Sequence, residues 1–116
     1  LTGLAPVAEQ TVGTISSAQQ RFLMIATALA AAPRILLLDE PAAGLVSHER
    51  KMLADTIKAI RDLGTAALVI EHPMVLIMEV CDRIVVLNFG SKIAEGTPSE
   101  IRNDRAVIDA YLGEAV

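Results

Sequence analysis

Two hydrophobic rhythms alternate along this chain. From Ser16 to Ala32 the residues are helix formers without a breaker, opened by Ser16 and Gln19 at capping-box spacing and stopped by Pro33. Ile35 to Asp39 is instead a short apolar run bounded by Pro33 and Pro41, the pattern of a strand buried on both faces. Ser47 to Leu63 returns to helical spacing, with Met52, Leu53, Ile57 and Ile60 on one stripe and Gly64 as the stop. A second buried strand, Ala66 to Ile70, ends at Glu71 and His72, and a short helix follows from Pro73 to Val80. Strands Arg83 to Leu87 and Lys92 to Glu95 flank the turn Asn88, Phe89, Gly90, a hairpin signal. Pro98 opens a last helix that runs to Leu112, while Leu1 to Ile15, interrupted by Gly3, Pro6 and Gly13, reads as irregular or weakly helical. Helices alternating with buried strands predict an α/β fold with a largely parallel sheet.

Composition narrows the function classes. With 116 residues, 53% of them hydrophobic, the chain is long enough for one compact domain with a core. A net charge of -4 and scattered basic residues argue against a surface that neutralises phosphates, so no nucleic-acid partner is expected. The single cysteine, Cys81, excludes an internal disulfide and reads as a core filler in a reducing compartment. The longest uncharged region, Phe22 to Pro33, is well short of the roughly 20 apolar residues that cross a bilayer, so no transmembrane segment is expected. The chain begins with Leu1 rather than methionine, which points to processing or to a fragment, and a fragment is expected.

In open α/β sheets, chemistry collects beyond the carboxyl ends of the strands. Asp39 and Glu40 end one predicted strand, and Glu71 and His72 end another. Because side chains alternate along a strand, Asp39 and Glu40 should diverge, leaving one for a metal and the other for a water. Alone, an apolar run ending in two carboxylates fits equally a strand that simply reaches the surface, and a single histidine at a strand end is more often structural than catalytic. The other candidate is the helix start at Thr14 to Arg21, whose unpaired amides and positive dipole end can hold a phosphate. The informative feature is the joint order of these parts.

That order carries a resemblance. Through ISSAQQRFLMIATALAAAPRILLLDEPAAGL, LVIEH, DRIVVLNFGSKIAEGTP and AYLGE, the chain resembles the C-terminal half of an ATP-binding cassette (ABC) transporter ATPase subunit, above all the branched-chain amino acid uptake type. The resemblance implies a P-loop NTPase-like α/β fold with a mostly parallel sheet, incomplete because the phosphate-loop strand is absent. Residues 1–34 would be part of the helical signature subdomain. Residues 35–116 would be the C-terminal part of the ATPase core, with the Walker B strand, the switch-histidine strand, and the final hairpin and helix.

Residue by residue, Ile15 to Gln19 falls on the signature motif, so Ser16, Ser17, Ala18 and Gln19 would contact ATP held by the opposite protomer. Asp39 would orient Mg²⁺ through its water shell, and Glu40 would be the general base or water-positioning carboxylate. Ala43, Gly44 and Leu45 fall on the D-loop at the dimer interface, and His72 is the switch histidine that senses the γ-phosphate. The implied cofactors are ATP and Mg²⁺. The implied partners are a second ATPase subunit, integral membrane permease subunits and, indirectly, a substrate-binding protein, at the cytoplasmic face of the inner membrane.

Several features depart from that pattern. The signature reads ISSAQ, with Ser17 and Ala18 where glycines are usual, and the Cβ of Ala18 is expected to crowd a phosphate. Pro73 stands where aspartate is common, and can open the next helix. No GxxxxGK[ST] loop occurs, and the glutamine loop that senses the permease is missing. In the family the strand before the phosphate loop lies between the His72 strand and the Arg83 strand. Without it those two strands would stand about 9 to 10 Å apart, so they are not expected to pair with each other. The first reading is an ATPase piece that powers import but is inactive alone. The alternative is a degenerate, non-hydrolysing cassette kept for binding or assembly. A chance match to an unrelated lineage is the third.

Overall fold

The computed structural model describes residues 1–112 and divides them between two compact units, residues 1–76 and residues from 77 onward. The expected final segment AYLGE therefore lies partly outside the described residues, at Gly113 and Glu114.

The first unit begins with two short 3₁₀ turns, Ala5–Val7 and Val12–Thr14, followed by helix α1, Ser17–Leu29. The helix stops earlier than the expected Ala32. Its last residues tighten into shorter-range bonds, and Ala32 takes a φ of 51°, turning the chain out before Pro33. Strand β1, Ile35–Asp39, and strand β2, Ala66–Ile70, have the expected bounds and pair in parallel, Ile35 opposite Ala66 through Asp39 opposite Ile70. Between them runs helix α2, Ser47–Asp62, which lies against β2 and buries Leu53, Ala54, Thr56, Ile57 and Ile60. Met52, expected on the same stripe, is 43% exposed: it sits about 100° round the helix from Leu53, at the edge of the buried face.

The expectation that these strands are buried on both faces fails. Leu36 and Leu38 are buried, but Ile35 and Leu37 are 63% and 69% exposed, as are more than half of Leu68 and Ile70. Paired residues of a parallel ladder share a face, so these four apolar side chains and Asp39 form one open face of the β1–β2 sheet.

Helix α3, Met74–Val80, starts one residue later than expected, after Pro73. The second unit holds strands β3, Ile84–Asn88, and β4, Ser91–Gly96, joined as an antiparallel hairpin with an irregularity between Val86 and Leu87. The expected single terminal helix is instead broken into α4, Pro98–Arg102, α5, Arg105–Val107, and a wider π-type turn, Ile108–Leu112. Asp104 causes the break: its carboxylate caps the amides of Ala106 and Val107 at 2.8 and 3.3 Å, starting a new helix in place of continuing the old one. Ile101 and Val107 bury fully against β4, and Tyr111 donates its hydroxyl to the carbonyl of Leu87.

Candidate functional site

The site residues expected from sequence all lie in the first unit, in two places. The first is the start of α1. Ser16 Oγ accepts from the Gln19 amide at 3.1 Å and Gln19 Oε1 accepts from the Ser16 amide at 2.9 Å, a complete capping box. The box consumes the donors at both ends of the turn and leaves the amides of Ser17 and Ala18 without an intrahelical partner. Ser17 is exposed, whereas Ala18 is only 8% exposed, its methyl covered by the protein's own interior. The hydroxyls of Ser16 and Ser17 and the Ser17 amide are therefore the donors this turn offers to solvent.

The second piece is the carboxyl edge of β1 and β2. Strand β1 ends at Asp39, exposed on the open face. Glu40 has left the strand: its φ is 48°, in the left-handed region, so strand alternation does not set its direction relative to Asp39. Its amide still donates to the carbonyl of Ile70 at 2.7 Å, which extends the register by one bond. At the end of β2, His72 reaches back, and its Nε2 lies 2.6 Å from Glu40 Oε1. His72 is 84% exposed and the Glu40 side chain 47%, so the pair faces solvent. Gly44, with a φ of 77°, makes the reversal in the following loop that Ala43 and Leu45 flank; Leu45 is buried and its carbonyl accepts from Arg50 at 2.7 Å.

The structure thus joins Glu40 to His72 and sets Asp39 one residue away on the same edge. Ser16 to Gln19 make no hydrogen bond to them among the described residues. Sequence reasoning assigned no role to two groups that do hold this edge. Arg21, half-buried on α1, donates from Nη1 to the carbonyls of Pro41 and Glu40 at 2.7 and 3.3 Å. Glu71, also half-buried, accepts from the Ala42 amide at 2.9 Å. Arg21 had a legible signal, as the only charge between Ser16 and Pro33.

Among the described residues no three His, Cys, Asp or Glu side chains gather as a closed metal cage. A lone exposed carboxylate still suits Mg²⁺, which keeps several waters and binds through one or two carboxylates together with substrate phosphates. Asp39 has that character.

Parts of the chain match known families, and nearly all of it matches known proteins. Residues 2–43 match the model of the ABC transporter family, and residues 91–116 match that of the branched-chain amino acid ATP-binding cassette transporter. Over 113 residues the chain is 47% identical to the high-affinity branched-chain amino acid transport ATP-binding protein BraF of Pseudomonas aeruginosa, covering 97% of this chain and 44% of that protein. It is 46% identical over 114 residues to LivG of Escherichia coli, of the same description, covering 97% and 45%. The lipopolysaccharide export system ATP-binding protein LptB of Escherichia coli is 39% identical over 101 residues, covering 87% and 42%. Among solved structures, the ADP conformation of an ATP-binding cassette of an ABC transporter superposes with a TM-score of 0.85 at 25% identity, covering 97% of this chain and 46% of that one. A nucleotide-free ATP-binding cassette gives 0.84 at 25% identity, covering 95% and 45%. The chain spans less than half the length of these relatives.

Proposed function

The chain belongs to the ATP-binding cassette transporter ATPase family, with branched-chain amino acid transport ATP-binding proteins among its relatives, and on that premise we propose that it is the C-terminal part of a nucleotide-binding subunit that hydrolyses ATP to power import. The solute would be branched-chain amino acids or similar molecules. The observation that carries the reading is the contact between Glu40 and His72, two strand ends that meet at 2.6 Å beside Asp39.

The proposed chemistry divides among the residues as follows. Glu40 aligns a water for in-line attack on the γ-phosphorus and takes up its proton, while the bond from that phosphorus to the β–γ bridging oxygen breaks and ADP leaves. His72 fixes the Glu40 carboxylate and donates to a γ-phosphate oxygen when nucleotide is bound. Asp39 would hold Mg²⁺ through its water shell, and the ion would supply charge neutralisation for phosphoryl transfer. The α1 start, through Ser16 and Ser17, addresses nucleotide held by a second ATPase subunit, with Ala43 to Leu45 at that interface. The donors that would cradle the β-phosphate are absent from this sequence, so turnover requires a phosphate loop from elsewhere in the assembly. No helix among the described residues is long and apolar enough to cross a membrane. The proposed association is with the cytoplasmic face of the membrane, through permease subunits.

The test is a chimera in which this chain replaces the matching segment of BraF, assembled with the permease and substrate-binding protein of that system. MgATP turnover is expected, and Glu40→Gln should abolish it while ATP remains bound. Unchanged turnover in Glu40→Gln would remove Glu40 from the mechanism. A chimera that binds ATP, assembles and never turns over would favour the degenerate, non-hydrolysing cassette.

A further inference from the structure

The peptide group between Pro41 and Ala42 is held from both sides. Its carbonyl accepts from Arg21 Nη1 at 2.7 Å, and its amide donates to Glu71 Oε1 at 2.9 Å. The signs match the peptide dipole, with a cation at the oxygen and an anion at the N–H, and hydrogen bonds to charged groups are the stronger kind. One residue earlier, the Glu40 carbonyl also lies 3.3 Å from Arg21 Nη1, and the Glu40 amide donates to Ile70. Three elements, α1, the turn after β1 and the end of β2, therefore converge on the two consecutive peptide groups that follow the Glu40 Cα.

Such convergence has a local reason. Glu40 combines a φ of 48° with a following proline, and a residue before proline is normally driven to extended backbone. A non-glycine residue keeps a left-handed conformation only where its surroundings over-determine it. Nothing local in the sequence does so here; the restraint comes from residues 19 and 31 positions away in the chain.

We infer that Arg21 and Glu71 are positioning residues for Glu40: by clamping the Pro41–Ala42 peptide they hold the turn in the conformation that keeps the Glu40 carboxylate at His72. The inference rests on the reading of Glu40 as the water-positioning carboxylate. Neither residue touches the reacting atoms. Their loss should lower the rate of the chemical step while leaving nucleotide binding intact.

The experiment compares Arg21→Gln, Arg21→Lys, Glu71→Ala, Glu71→Gln and Glu40→Gln. Amide exchange at Ala42 and global denaturation are followed in the full chain, and steady-state ATP turnover in the assembled ATPase. Arg21→Gln and Glu71→Ala are each expected to lower kcat at least tenfold with KM for ATP within twofold of wild type. Ala42 exchange should accelerate at least tenfold in Glu71→Ala, without an equal acceleration across α2. Arg21→Lys, which keeps a donor for the Pro41 carbonyl, and Glu71→Gln, which keeps an acceptor for the Ala42 amide, should each recover part of kcat, and they carry the test if Arg21→Gln or Glu71→Ala does not fold. Wild-type kcat in both Arg21→Gln and Glu71→Ala, or unchanged Ala42 exchange in Glu71→Ala, overturns the clamp. If Glu40→Gln keeps turnover, the functional reading falls instead; if Glu40→Gln abolishes it and the other variants do not slow it, the clamp alone falls.

Discussion

Replacing Ala18 by glycine separates two accounts of the unusual ISSAQ turn. If the Ala18 methyl projects toward a bound phosphate, Ala18→Gly should restore a closer approach and raise nucleotide affinity or turnover. The structure argues otherwise, because Ala18 is 8% exposed and its methyl is part of the packing under α1, beside Phe22 and Ile25 on the same buried stripe. Removing a buried methyl costs about 0.8 kcal/mol in transfer free energy. Glycine near a helix start adds a backbone penalty below the ~1 kcal/mol of a helix interior. The sum is about 1–2 kcal/mol of destabilisation, a large share of the margin of a small domain. In a chain of this size that should lower Tm by roughly 4–8 °C. Thermal and urea denaturation of the wild-type and Ala18→Gly chains measure it, and ATP affinity and turnover are read in the BraF chimera. The expected result is a loss of stability with affinity and turnover within twofold of the parent. An unchanged Tm together with a tenfold gain in either functional quantity, worth about 1.4 kcal/mol, would refute the packing argument and return the methyl to the phosphate side.

Two further expectations concern the second unit. A Cβ built at Gly96 would lie 2.9 Å from Glu100 Oε2 and 3.1 Å from Glu100 Cβ, and the Glu100 carboxylate is held by the Thr97 hydroxyl at 3.0 Å, so it is not free to swing away. Gly96→Ala should therefore cost about 1–3 kcal/mol through overpacking, read as a lower denaturation midpoint at unchanged m-value, and a midpoint equal to wild type would mean Glu100 yields. Hydrogen bonds from Lys92 and then Arg83 hold the Glu95 carboxyl below its ordinary range. A carboxyl with a depressed folded-state pKa is protonated more readily in the unfolded chain, so its contribution is present above the ordinary carboxylate pKa and is lost as pH falls through the folded value. Glu95→Gln should accordingly melt lower than wild type at neutral pH, with the two curves converging at acid pH and the neutral-pH gap shrinking in high salt. A gap that persists unchanged below the carboxylate range would contradict the linkage.

The parts of this molecule that sequence makes legible are those specified by neighbours along the chain. The strands Ile35–Asp39 and Ala66–Ile70 have the expected bounds because Pro33, Pro41, Gly64 and the Glu71–His72 pair punctuate them, and the Ser16–Gln19 box forms because both partners sit within one turn. The same locality explains an error: Asn103 and Asp104 look like ordinary exposed helix residues, yet the Asp104 carboxylate competes for backbone amides two and three residues on and restarts the helix. An apolar run states that both faces of β1 are hydrophobic and is silent about what covers each, which is why Ile35 and Leu37 were expected buried and are open.

The candidate site divides along the same line. Asp39, Glu40 and His72 stand out by residue type at strand ends, and the meeting of Glu40 with His72 follows once β1 and β2 are paired in register. The conformation of Glu40 does not follow, because alternation describes a strand and Glu40 is the first residue outside it. What holds it there is one guanidinium and one carboxylate bonding to main-chain atoms, and a backbone partner leaves no mark on sequence spacing. The strain at Glu40 is thus the point at which local rules stop determining this edge and tertiary contacts take over. Pro41 imposes the local conflict, and Arg21 and Glu71 resolve it at the peptide immediately beyond.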